Sequence, residues 1–219
     1  NIPEHNADIS PRPDISLNDV HFGYEDGKEI LHGVSFRVSA GDQVTLAGRT
    51  GAGKSTIFRL ILGLFAPWKG EVTVGGVSAR DIPDETKRHI FGYVEQTFRP
   101  VPGTVLDQLT LGDPAVTKEM AIRAAKTVGL SETIESFPDG CDTPYRDEIF
   151  SQGERQLLSV ARAISAEPPV LLLDEITADL DADTERMVLE AIRAASEGRT
   201  VLSISHRVYT SLGGKMIHI

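Results

Sequence analysis

Residues 48 to 55 read Gly48-Arg49-Thr50-Gly51-Ala52-Gly53-Lys54-Ser55. Immediately before them QVTLA, Gln43 to Ala47, alternates in the manner of a strand. Immediately after, from Lys54 to Leu64, Ile57, Leu60, Ile61 and Leu64 recur at helical spacing. Strand, glycine loop and helix together satisfy G-x-x-x-x-G-K-[ST] in the context that this pattern requires. Glycines let the loop wrap with its N–H groups turned inward, and the helix dipole adds positive potential at the same point. Lys54 then reaches the β and γ phosphates of a nucleotide, and Ser55 can ligate Mg²⁺. Gly48, Arg49, Thr50, Gly51, Ala52, Gly53, Lys54, Ser55 and Thr56 are therefore the candidate nucleotide-binding residues.

Working outward, ISLNDVHF (Ile15 to Phe22) and the stretch from Val34 to Val38 carry further strand alternation, and EVTV (Glu71 to Val74) follows the helix. IFGYVEQ, from Ile90, holds another short extended run. The pattern then turns helical over Val105 to Leu111, Lys118 to Val128, Glu132 to Phe137 and Gln152 to Ser165. Val170 begins VLLLD, a continuous apolar run expected of a buried parallel strand. Asp183 to Ala195 is expected as helix, Thr200 to Ser205 as strand, and Met216 to Ile219 as a last strand. The expected fold class is α/β: a mainly parallel sheet, an N-terminal antiparallel β subdomain and an inserted α-helical subdomain at about residues 97–166. Residues 1–14, with Pro3, Pro11 and Pro13, have the composition of a connector, and residues 15–219 form the domain; the chain reads as part of something longer.

The chain of 219 residues carries 32 acidic against 22 basic side chains, a formal charge of −10, which disfavours a nucleic-acid partner. One cysteine, Cys141, cannot close an internal disulfide and matches no zinc spacing, which suits a reducing compartment. The longest apolar runs fall well short of a membrane span.

A triphosphate site needs a carboxylate for the metal and a base for water. Asp174-Glu175 closes the VLLL run, at the strand end where α/β sheets place ligands. Taken alone the pair reads equally well as a hydrated acidic strand terminus. Beside the phosphate loop, Asp174 reads as a metal-shell residue and Glu175 as the group that polarises the attacking water. Phe150-Ser151-Gln152-Gly153-Glu154 then opens a helix running through Ala161-Arg162-Ala163.

With these pieces in this order, the chain from about Ile15 to Ile219 resembles the nucleotide-binding domain of an ABC transporter, whose LSGGQ signature opens such a helix. The resemblance implies that Ser151, Gln152, Gly153 and Glu154 face the γ-phosphate of ATP held by a second ABC ATPase domain, in a homodimer or heterodimer. Tyr24 matches the aromatic residue that stacks on adenine. Gln96 matches the glutamine that senses Mg²⁺ and attacking water, Asp179 and Asp181 the interface loop, and His206 the histidine that contacts the γ-phosphate. Singly, Tyr24 reads as a strand-end aromatic, Gln96 as a loop polar group and His206 as a capping or packed histidine; their order and separation give them the family's roles. FRPVPGTVLDQLTLGD, after Gln96, resembles the exporter branch. The resemblance thus implies a transmembrane-domain partner, ATP and Mg²⁺ as cofactors, and a place on the cytoplasmic face of the cell membrane.

Three stretches depart from the family pattern. Glu154 replaces the signature's final glutamine, an added charge expected to oppose polyphosphate and weaken closure. Pro144 to Ile149 lacks the usual glycines, and Leu212-Gly213-Gly214-Lys215 lacks the usual acid. The alternatives to a transporter motor are a soluble ATPase of this class and a non-hydrolysing regulatory binder. The first calls for basic patches or a second cassette, which the sequence does not show. Glu175 and His206 oppose the second, which only the altered signature favours.

Overall fold

ISLNDVHF buries Ile15, Leu17, Val20 and Phe22, so its apolar spacing jumps by three residues after Leu17. A register shift against both neighbouring strands absorbs the jump, with Asp19 at φ 48°. This strand, β1 (Ile15–Phe22), is seen in a computed structural model that describes residues 9–49, 51, 53–95, 97–175 and 180–219. It lies between β2 (Leu31–Val38) and β4 (Lys69–Val74), and β4 pairs in turn with the short β5 (Val77–Ser78), all antiparallel.

The second sheet is parallel throughout, in the order β6 (Phe91–Val94), β7 (Val170–Leu173), β8 (Thr200–Ser203), β3 (Gln43–Ala47), β9 (Lys215–His218). Every residue of β7 and β8 is buried, as a strand covered on both faces requires. Alternate residues of β7 feed two cores. Val170 and Leu172 pack with Phe58 and the antiparallel sheet, while Leu171 and Leu173 pack with the helices between β6 and β7.

Helix α1 (Lys54–Ile61) follows β3, and α2 (Asp84–Ile90) precedes β6. Then come α3 (Val105–Thr110), α4 (Lys118–Thr127), α5 (Ser131–Glu135) and α6 (Gln152–Ile164); α7 (Ala182–Ser196) joins β7 to β8, and α8 (His206–Leu212) joins β8 to β9. Arg162 fastens α6 to the segment after β6. Its guanidinium lies 4.3 Å from the Phe98 ring centre and donates to the carbonyls of Gln108 (2.5 Å) and Arg99 (2.7 Å). Burial, then the neighbouring Arg88 charge, lowers its pKa to about 10, so it stays a cation at neutral pH.

The expected fold class holds, with local corrections. Ile90 ends α2 instead of opening the strand, because DETKRHI buries no side chain and shows no apolar period. Helix α8 is equally hidden, since only Val208 is buried there. Helix α1 stops at Ile61 instead of Leu64, as Gly63 turns left-handed at φ 68°. Among the described residues no helix is long and apolar enough to cross a membrane.

Candidate functional site

Strand β3 delivers the chain to Gly48, and α1 begins at Lys54. Gly53 caps α1 at φ 88°, ψ 14°, and Gly51 is also left-handed at φ 84°. A Cβ on Gly53 would lie 2.5 Å from Leu31 Cδ2 and 2.9 Å from Ile30 Cγ2, so glycine is required on both counts. Gly53, as the N-cap, has no side chain to bond the first N–H groups of α1, and the first turn holds no acidic residue, so among the described residues this helix end suits an anion. Lys54 Nζ donates to the carbonyls of Gly48 (2.7 Å) and Arg49 (3.0 Å), folded back over the loop. Thr50 and Ala52 lie outside the described residues, as do Gln96 and Asp179.

Across from the loop, the Ser55 hydroxyl lies 3.5 Å from Asp174 Oδ1. The other oxygen, Oδ2, accepts from the Tyr93 hydroxyl at 3.1 Å, and the Asp174 N–H donates to Val94 O at 3.0 Å. Burial first, then the Asp174 carboxylate, pushes the Tyr93 phenol well above the usual range, so it is a donor at any physiological pH.

Glu175 is exposed and turns into a cleft of about 390 Å³ together with Gly48, Lys54, Ser205, His206 and Arg207. His206 reaches this cleft as the first residue of α8, with Ser205 as the N-cap. The structure thus brings Lys54, Glu175 and His206 to one opening, though they stand 121 and 31 residues apart in sequence.

Tyr24, 44% exposed, is tied to both ends of α1. Its hydroxyl bonds Thr56 Oγ1 (3.1 Å) and accepts from Arg59 Nη1 (2.8 Å). The Tyr24 ring meets Phe22 and Phe65 edge to face, with centroids 5.2 and 5.4 Å apart. Thr56 is itself buried, so in this arrangement its hydroxyl serves Tyr24. Sequence reading missed Tyr93, Arg59 and Phe65.

Ser151 to Glu154 do not line the cleft. Ser151 N-caps α6, its Oγ accepting from the Glu154 N–H at 3.2 Å, while Glu154 Oε2 accepts from the Ser151 N–H at 2.7 Å, a closed capping box. Glu154 Oε1 accepts from the Thr133 hydroxyl at 2.8 Å. The added charge is therefore present but bonded into its own helix end. Burial pushes this carboxyl up, but the Ser151 N–H and Thr133 outweigh it and hold the group below its ordinary range.

Because the folded carboxyl titrates lower than the unfolded one, its contribution to stability is full above about pH 4.5 and is lost as pH falls through the folded value. Wild type is expected to exceed Glu154→Gln in urea midpoint at pH 7, with the gap shrinking by pH 3.5. An equal gap at both pH values would exclude this linkage.

A Cβ on Gly153 would lie 2.7 Å from Met187 Cε and 2.8 Å from Thr184 Cγ2, so α7 packs where a side chain would stand. Asp181 caps α7, its Oδ1 accepting from the N–H groups of Asp183 and Thr184 (3.1 Å each) and its Oδ2 from the Thr184 hydroxyl (2.6 Å). Signature and Asp181 thus form a second group of candidate residues, joined through Thr184.

A family model described as ABC transporter matches residues 31–178. Over 211 residues the chain is 36% identical to the ATM1-type heavy metal exporter of Novosphingobium aromaticivorans, covering 95% of this chain and 35% of that protein. Over 198 residues it is 38% identical to the mitochondrial iron-sulfur clusters transporter ABCB7 of Rattus norvegicus, covering 90% and 26%. Among solved structures, a bacterial Atm1-family ABC exporter with ATP bound superposes with a TM-score of 0.84 at 34% identity, over 100% of this chain and 39% of that one. The chain spans about a third or less of the curated relatives named here.

Proposed function

This chain belongs to the ABC transporter family, as an ATP-binding, ATP-hydrolysing domain of the exporter type, and we propose that it is the motor that drives export across a membrane. The observation that carries this reading is the cleft where Lys54, Glu175 and His206 meet beside the start of α1. ATP lays its phosphates along Gly48 to Thr56, with Lys54 leaving the loop carbonyls for the β and γ phosphates. Tyr24 offers its ring to the adenine. Ser55 and Asp174 form an all-oxygen pair 3.5 Å apart, and among the described residues no three metal-binding side chains converge. That donor set fits Mg²⁺, which is commonly held by one carboxylate and the phosphates themselves. When bound, the ion would neutralise charge on the β and γ oxygens.

Glu175 takes the proton of the water that attacks the γ-phosphorus in line, ADP leaves, and Lys54 and His206 balance charge on the transferring group. Gln96 reports the state of the nucleotide. The signature residues Ser151, Gln152, Gly153 and Glu154 serve the ATP of a second ABC ATPase domain, and Asp179 and Asp181 line that interface. A transmembrane domain is the other partner, and the site of action is the cytoplasmic face of the membrane.

A site completed in trans has a kinetic signature. Specific ATPase activity of the purified chain is expected to rise with protein concentration until dimerisation saturates. Activity independent of concentration would exclude completion by a second copy, and activity appearing only with another ABC ATPase domain would identify a heterodimer.

A further inference from the structure

Strands β6 and β7 run parallel in a register that sets Tyr93 opposite Leu172. Successive side chains alternate between faces, so Asp174 lies on the same side as Leu172 and Tyr93, two residues further on. Two residues of strand rise about 6.6 Å, roughly the reach of a phenol from its Cα. The Tyr93 ring is braced edge to face against Phe58, with centroids 6.3 Å apart and planes at 86°, and Phe58 is fully buried. With the ring braced, the place of its hydroxyl is set as well, and that hydroxyl donates to Asp174 Oδ2 at 3.1 Å.

We propose that Tyr93 is a positioning residue for the metal-binding carboxylate. Its hydroxyl holds Asp174 Oδ2 and so turns Oδ1 toward Ser55 and the cation that accompanies the nucleotide. A carboxylate free to rotate presents either oxygen, or neither, to the metal. One bonded from behind presents the same oxygen each time. Outer-shell partners of this kind commonly change metal affinity by about 10- to 100-fold when removed. The proposal rests on reading this site as one for a magnesium nucleotide.

The test is Tyr93→Phe, which keeps the ring and its contact with Phe58 and removes only the donor; Tyr93→Met is a second variant that lacks the hydroxyl. Affinity for a fluorescent ATP analogue is measured across a Mg²⁺ titration and again in excess EDTA, alongside thermal unfolding. The expected result is a Mg²⁺ midpoint raised about 10-fold in both variants, with affinity in EDTA unchanged. A purely structural role would lower the unfolding temperature without moving the Mg²⁺ midpoint, and that result overturns the proposal. If wild type shows no Mg²⁺-dependent nucleotide binding, the reading of the site fails with it.

Discussion

Replacing Glu175 by Gln is expected to slow ATP hydrolysis by about 10² to 10⁴-fold, the usual contribution of a positioned general base, while ATP affinity changes little. The amide has the shape of the carboxylate but cannot accept the water's proton. Glu175 is exposed in the cleft, so the substitution disturbs no packed core. The groups proposed to bind phosphate, on the loop and the first turn of α1, are untouched. Loss should therefore fall on turnover and not on nucleotide binding, the pattern of an interaction used only in the transition state. A variant that loses binding instead would assign Glu175 to holding the fold or the nucleotide.

Replacing Lys54 by Ala should have the opposite character. The ammonium donates to two loop carbonyls, Gly48 and Arg49, and would exchange them for phosphate oxygens when ATP enters. A hydrogen bond to a charged partner contributes about 1.5–3 kcal/mol, so removing it should weaken ATP about 10- to 150-fold. Turnover at saturating ATP should fall as well, since Lys54 also faces the charge that develops on the transferring group. Displacement of a fluorescent analogue separates the two effects. Unchanged affinity with lost turnover would restrict Lys54 to the chemical step.

What the sequence disclosed follows from the range of the interactions involved. The phosphate loop was legible because its chemistry lies in one contiguous stretch between a strand and a helix. Strand β7 was legible because burial on both faces leaves an unbroken VLLL. Helices α2 and α8 were not, since they bury at most one side chain and so leave no apolar period to read. Tyr93 and Arg59 act on partners 81 and 35 residues away, through strand register and helix packing that no local pattern encodes. Glu154 is the intermediate case. Its charge, and a serine three residues before it, were visible in sequence. Its bond to Thr133, which comes from α5 and directs the carboxylate inward, was not.

The most direct test of the central claim, a loop that holds ATP beside a carboxylate that cleaves it, is the identity of the nucleotide each protein retains. Wild type and Glu175→Gln are incubated with Mg-ATP at a concentration that saturates activity, freed of unbound nucleotide by rapid gel filtration, and the retained nucleotide is identified by chromatography. The account predicts ADP on wild type and intact ATP, at comparable occupancy, on Glu175→Gln. ADP at equal levels on both proteins would contradict it.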